Sequence, residues 1–379
     1  MAIATRASRS RAALEAIERA ASDELSPQQA VEAIVHQVAT AIDADAFFAT
    51  ATDPETGLPL SAGVTWNLPD SLCAPFWEHE FFVPDYNKFT HLTAANPIGD
   101  LRIATGDKLS RSARSRAFRA FGDLEDELRA TLTAGGRAWG LLHLNRRVGS
   151  LPFTDEDVTF LRAAAPLAGA ALRQALLTKS AHIDPARGPG VLILDRSGAV
   201  VATTREAEEW FKELTAAESM RYHPAEIPLA LLLMLTGVPT QPEANPRRTR
   251  LRTPGGMWLV AHASHLVDSD QTAIVIEPAK ASEIAPIIVE AYGLSRREAE
   301  ITRLVARGVG TDQIATTLFL SRHTVRDHLK AAFEKVGVSS RGELSSKLFA
   351  EHYLPSLQDA VDGSRQDVDA SLQLAQDRR

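Results

Sequence analysis

Cysteine is almost absent from this chain. Its 379 residues include one, Cys73, which excludes an internal disulfide and any cysteine-based zinc or iron–sulfur site and fits a reducing compartment. His79 and His91 lack a second ligand at metal-binding spacing, so no metal site is expected and no cofactor is required by the sequence. Long apolar runs are missing too. The longest, Ile227 to Gly237, falls short of the ~20 residues that cross a bilayer and reads as a core helix, so no membrane partner and a cytoplasmic location are expected. No phosphate-cradling loop is present, because Gly99 through Lys108 has the wrong glycine spacing and no following hydroxyl. The chain opens in a helix, not in the strand-borne acidic pair of a phosphoacceptor domain. No Ser-His-Asp order or close carboxylate pair stands out, and no enzymatic role is expected.

What is present is a basic module on an acidic body. Residues 294–350 hold ten Lys or Arg against six Asp or Glu, a net of +4 in a chain of net −7, so the remainder carries −11. That asymmetry is the electrostatic footprint of a nucleic-acid reader. Ser295 and Glu298 have capping-box spacing, so a helix begins near Arg296; Ile301, Leu304 and Val305 recur at helical spacing and Gly308 stops it. A second short helix follows, with Thr311 as its expected cap and Ile314, Ala315 and Leu318 inward. Ser321 caps a third, whose Val325, Leu329, Ala332, Phe333 and Val336 form one apolar stripe ended by Gly337. Arg322, Arg326 and Lys330, four residues apart, must then line another face, with His323 and Asp327 beside them. Such a face fits the major groove, where cations pair with phosphates or guanine acceptors and a carboxylate accepts only from base amino groups.

These residues resemble the four-helix DNA-binding domain of LuxR-type transcriptional regulators. The family's L-[ST]-x-R-E-x-E opening matches Leu294 to Glu300, its glycine Gly308, its I-A pair Ile314 and Ala315, and its S-x-x-T-V-[KR]-x-H run Ser321 to His328. The closing K-[LV]-x-V-x-[ST]-R pattern falls on Lys335, Val336, Val338, Ser340 and Arg341. The resemblance implies double-stranded promoter DNA as partner, with Arg326, Asp327 and Lys330 on the base-reading surface, Ser321 and Thr324 near the phosphates, and His328 structural. Arg322 and His323 complete the expected DNA-binding set.

Upstream, residues 26–178 are expected to form an α+β sensor domain behind a helical extension at 1–25, which is a candidate for lengthening a dimer interface. A helix from about Pro27 to Ile42 leads into strands at Ala46 to Thr52 and toward Val64. Two more strands, Glu127 to Ala134 and Ala138 to Asn145, flank Gly135 and Gly136, a strong hairpin signal. A long helix follows from Asp155. The ELRATLTAGGRAWGLLHLNR run and the PFTDEDVTFL helix start resemble a GAF domain, which implies a small molecule held between sheet and helical lid. Aromatics, only 6% of the chain, gather between Val64 and Phe89; Trp66, Phe76, Trp77, Phe81 and Phe82 are the candidate ligand-binding residues, the alternative being that they fill the core. Cys73 in the same stretch is a redox candidate or an inert buried thiol. Some GAF proteins reduce methionine sulfoxide, but that chemistry needs several cysteines.

Residues 179–189 read as a linker. Strands at 191–195 and 199–203, a helix at 206–214, and strands at 250–252, 258–264 and 272–277 make residues 190–278 resemble an α+β PAS domain. The basic run Pro246 to Arg252 is expected to be an exposed strand edge guarded by charge, with a second DNA contact as the alternative. A second linker is expected at 279–290, the helix-turn-helix domain at 291–352, and a tail without stable fold at 353–379. The whole is then a multidomain, homodimeric regulator that senses a small-molecule effector. The alternative is a constitutive DNA-binding regulator whose upstream domains serve dimerisation and protein–protein interaction.

Overall fold

A computed structural model of the chain describes residues 6–60, 63–69, 72–81, 83–177, 187–195, 199–214, 231, 248–306 and 308–350. It divides into two compact units, one of residues 1–178, 190–254 and 258–277, the other of residues 179–189, 255–257 and 278–379. The Ile227 to Gly237 run apart from Leu231, the turn at 196–198, most of the first linker and the tail from 351 lie outside the described residues.

The first unit opens with α1 (Arg6–Ala20) and α2 (Pro27–Ala41). Ser26 accepts from the Gln29 amide while the Gln29 side chain accepts from the Ser26 amide, and Pro27 fills a first-turn position that needs no donor, so α2 starts where the chain chemistry dictates. Ala13, Ile17 and Ala20 of α1 are buried, and α1 packs on α2 and on a long later helix. This N-terminal helix thus lays its apolar face within its own chain.

Five strands form the first sheet: β1 (Ala46–Ala51), β2 (Val64–Trp66), β3 (Ile98–Asp100), β4 (Leu124–Ala134) and β5 (Arg137–Arg147), in the order β2-β1-β5-β4-β3 and antiparallel at every join. The β4–β5 turn has Gly135 and Gly136 both at positive φ, 60° and 80°, as a two-residue hairpin that follows the sheet twist requires. Helices α3 (Cys73–Phe81), α4 (Leu101–Thr105) and α5 (Ala113–Gly122) come between the strands, and α6 (Asp155–Ala175) follows them. Thr154 and Asp157 form a capping box at the start of α6, and Arg6 bonds Asp157 and pairs with Glu156 at 3.2 Å, pinning α1 to that end. One sheet face, with Leu132 and Gly140, meets Leu172 of α6; a Cβ on Gly169 would sit 2.4 Å from the Thr133 carbonyl, so helix and strand backbones nearly touch. The opposite face is covered by α3 and α5.

The second sheet lies in the same unit: β6 (Gly190–Leu194), β7 (Val200–Thr203), β8 (Arg248–Arg252), β9 (Trp258–His265) and β10 (Thr272–Pro278), ordered β7-β6-β10-β9-β8. Against it α7 (Arg205–Leu214) buries Ala207, Trp210, Phe211 and Leu214. The basic edge strand departs from expectation, because β8 is covered. Arg250 pairs with Asp53 and Glu55, each at 2.8 Å, and the Arg252 amide donates to the Leu60 carbonyl at 2.7 Å. Arg252 Nη1 donates to the carbonyls of Ala175 and Leu176 at 3.2 and 3.1 Å, where the exit of α6 gathers unsatisfied acceptors. The strand's arginines therefore bond the first sheet's loops and α6. Burial would lower Arg250, but the Asp53 and Glu55 carboxylates outweigh it and raise its pKa; Arg252, with burial unopposed, is lowered to about 10.

The second unit contains α8 (Ala281–Ala291), α9 (Arg296–Ala306), α10 (Thr311–Leu318), α11 (Arg322–Val336) and α12 (Arg341–Ala350). Residues 279–290, expected as a linker, carry α8, and its Ile284, Ile287, Ile288 and Val289 are buried, which is the reason a helix forms there.

Candidate functional site

The cationic face is built from its caps upward. Ser295 accepts from the Glu298 amide at 3.3 Å and the Glu298 carboxylate accepts from the Ser295 amide at 2.7 Å; the same carboxylate takes Lys335 Nζ at 2.7 Å, tying α9 to α11. Burial would raise Glu298, but the Lys335 ammonium and the Ser295 donors together lower it. The cap of α10 is Gly310 without a side-chain bond, and Thr311, expected as the cap, is the first helical residue, so the helix begins one place earlier than expected. Phe319 ends α10 in the left-handed conformation, φ 55°, and is 96% exposed on the turn. Ser321 then caps α11 by accepting from the Thr324 amide at 3.0 Å, and Gly337 closes it at φ 69°.

Val325, Leu329, Ala332 and Val336 are buried, whereas Arg322, His323, Arg326, Asp327 and Lys330 are exposed. One helix thus separates a core stripe from a charged face. Arg322 pairs with Asp312 of α10 at 2.7 Å, and His323 Nε2 lies 3.6 Å from the Asp327 carboxylate one turn on. Arg326 and Lys330 have no ion pair among the described residues. Ser321 and Thr324 hydroxyls bond each other at 2.8 Å at the helix entrance. Lys347 of α12 donates to the Val336 carbonyl at 2.8 Å, and Arg341 donates to the Val309 carbonyl, so α12 braces both the end of α11 and the turn before α10.

A second constellation lies under α3 and α5. Phe76 and Trp77, both expected there, sit in a buried cluster with Phe48, Phe89, Phe118 and Leu141. Phe76 meets Trp77 edge-on at 4.7 Å, Phe48 at 5.4 Å and His143 at 5.1 Å. Trp66 is elsewhere, half-exposed and stacked on Phe47 at 5.8 Å. Phe81 belongs to α3, and Phe82 lies outside the described residues.

Charged groups that the sequence did not single out thread this cluster. On β4, Glu127 accepts Arg114 Nε and Nη2 at 2.6 Å each and lies 3.2 Å from Arg129 Nε. Glu80 of α3 accepts Arg129 Nη1 at 2.5 Å and the Phe89 amide at 2.8 Å. The Arg129 guanidinium lies 4.5 Å from the Phe89 ring and 5.3 Å from that of Phe76. Arg114, Arg129 and His143 are fully buried. Burial would raise Glu127, but Arg114 and Arg129 hold its carboxyl well below the usual carboxylate range. Burial lowers His143 to about 3, with Arg129 and Arg114 adding to it against Glu127, so the ring is neutral. A signal was present: Glu127 and Arg129 alternate on an apolar strand whose partner carries His143, and ionisable residues facing inward at period two rarely occur without a role.

Residues 293–348 match the family model described as bacterial regulatory proteins, luxR family. The spore germination protein GerE of Bacillus subtilis (strain 168) is 40% identical over 50 residues, 13% of this chain and 68% of that protein. An HTH-type transcriptional regulator in the exeN 3′ region of Aeromonas salmonicida is 32% identical over 96 residues, 25% of this chain, and the match spans only 45% of that relative's length. Among solved structures, Escherichia coli SdiA aligns over 86% of this chain and 92% of its own at 15% identity with a TM-score of 0.29. SdiA in complex with octanoyl-rac-glycerol aligns over 94% and 98% at 14% identity with a TM-score of 0.32. Those scores are too low to equate the folds upstream of the helix-turn-helix, whereas the GerE match is 40% identical and spans 68% of that protein. On that match, the chain belongs to the luxR family of bacterial regulatory proteins.

Proposed function

We propose that this protein is a transcriptional regulator that lays α11 in the major groove of promoter DNA, under control of a small molecule sensed by its upstream unit. The observation that carries the DNA reading is the exposed row Arg322, Arg326 and Lys330 over the buried stripe of Val325, Leu329 and Ala332. Arg326 and Lys330 supply groups for phosphates or guanine edges, and Asp327 accepts from a base amino group, at the cost of repelling phosphate. A homodimer would present two such helices to half-sites one helical turn apart or a multiple of it. The sensing half rests on the GAF-like arrangement of residues 26–178, a sheet whose aromatic and charged face lies under α3 and α5, with the PAS-like residues 190–278 joined to it through β8.

The test begins with genome-wide mapping of bound sites, followed by gel shifts of the full chain on those fragments. Lys330→Ala is expected to weaken binding uniformly across sequences and reduce the salt slope by about 1. Asp327→Ala is expected to relax base choice while keeping affinity. Unchanged binding and unchanged base preference in both variants would remove α11 from the groove.

A further inference from the structure

We infer that the face of the first sheet beneath α3 and α5 takes an uncharged aromatic carbonyl compound, its ring among Phe76, Phe89 and Phe118 and its carbonyl oxygen on Arg114 and Arg129. This rests on the sensing reading above and narrows it to a ligand class.

Both carboxylates in the cluster are occupied. Glu127 engages both arginines, and Glu80 holds Arg129 and the Phe89 amide. What is left over is mostly donors: Arg114 Nη1, Arg129 Nη2 and Asn87 Nδ2 are buried without a hydrogen-bond partner among the described residues. Buried donors in native proteins find acceptors, so this set calls for an oxygen from outside the chain. The two arginines meet at Glu127, where Arg114 Nη2 and Arg129 Nε lie 2.6 and 3.2 Å from the same carboxylate oxygen, so their guanidinium groups line one patch of this sheet face. The Thr131 hydroxyl, without a hydrogen-bond partner among the described residues on the same sheet face, suits an N–H of the ligand, so a primary amide is the simplest member of the class.

Charge decides between a neutral and an anionic oxygen. Arg114 and Arg129 are balanced one for one by Glu127 and Glu80, and His143 is neutral. Asp85 at the rim, accepting from Ser112 Oγ at 3.1 Å and the Arg114 amide at 2.6 Å, adds negative charge. A carboxylate would therefore enter as an uncompensated anion in a desolvated site, whereas a carbonyl satisfies the same donors without a net charge. The walls decide the rest of the molecule. Edge-on and tilted rings pack around Phe76 at 4.7–6.5 Å, so the groups beside the arginines are aromatic, a setting that favours an aromatic ligand over an aliphatic one.

The experiment titrates the full-length protein, labelled with 15N-arginine, with benzamide, benzoate and cyclohexanecarboxamide, reading ligand saturation transfer and the arginine side-chain signals. Benzamide is expected to bind at least about tenfold more tightly than benzoate or cyclohexanecarboxamide, to shift two buried arginine signals, and to lose its binding in Arg129→Met. If that variant does not fold, the arginine shifts in the unaltered protein carry the test. Benzoate binding as tightly as benzamide overturns the neutral-ligand inference and leaves sensing standing. If no probe binds and the arginine signals stay put, bound water satisfies these donors and the ligand class falls. Promoter affinity that then still responds to a small-molecule cell extract would keep the sensing reading; no response to extract or probes would sink both.

Discussion

His143 is held without its proton by the groups around it. Its ring meets Phe76 at 5.1 Å and Phe118 at 5.7 Å, and burial lowers its pKa from 6.5 to about 3. Above pH 6.5 neither the folded nor the unfolded chain binds this proton. Between 6.5 and 3 only the unfolded chain does, so stability is lost as pH falls through that window. Glu127 acts in the same direction but lower: its contribution is complete above 4.5, the ordinary value, and declines below it. Between pH 7 and 5 the histidine's effect is therefore separate from that of Glu127, with His79, also lowered by burial, adding to it in the same direction. The urea midpoint of the first unit is expected to fall over that interval, and His143→Gln should flatten the fall; an equal slope in both proteins would contradict the assignment.

At the scale of elements, the boundaries that sequence disclosed are those whose chemistry is local. Ser295 with Glu298, Thr154 with Asp157 and Ser321 with Thr324 act across three residues, and Gly135-Gly136 makes its own turn, so their helices and hairpin fall as expected. β8 was misjudged because its cover comes from far away: Arg250 meets Asp53 across 197 positions. The charged cluster was overlooked for the same reason, since Glu80 and Arg129 belong to one site only after the sheet has formed. The charged face of α11 was legible because one element holds both stripe and face. Gly169 offers an element-level test. Alanine there should favour α6 by up to ~1 kcal/mol on intrinsic propensity, yet its Cβ would lie 2.4 Å from the Thr133 carbonyl. Gly169→Ala is thus expected to destabilise by about 1–3 kcal/mol through overpacking, measured as a drop in urea midpoint. A gain in stability would mean helix and sheet separate more easily than their contact implies.

Across the whole molecule, the picture of two independent upstream domains gives way to one unit in which a basic strand of the second sheet bonds the loops of the first. Asp53 and Arg250 are the buried part of that junction, and Glu55 is its exposed part. Asp53→Asn removes the buried carboxylate and leaves that of Glu55; a broken buried pair costs about 3–5 kcal/mol, and the surviving carboxylate reduces the expected loss to roughly 2 kcal/mol. Glu55→Gln should cost under about 1 kcal/mol, as surface pairs do. Equal losses in the two variants, by denaturant unfolding followed through tryptophan fluorescence, would sink the distinction.

Arg252, bonded to the last carbonyls of α6, has a practical corollary for dividing the chain. A boundary between residues 178 and 189 looks natural on composition, but a fragment ending there would lose the donor that seals its final helix and the cation that neutralises Asp53. The complementary fragment would expose a strand bearing Arg248, Arg250 and Arg252 with its acidic counterpart gone. Truncations meant to isolate the first unit should therefore run to residue 278, and a shorter piece that misfolds would reveal the missing strand, not a flaw in the unit itself.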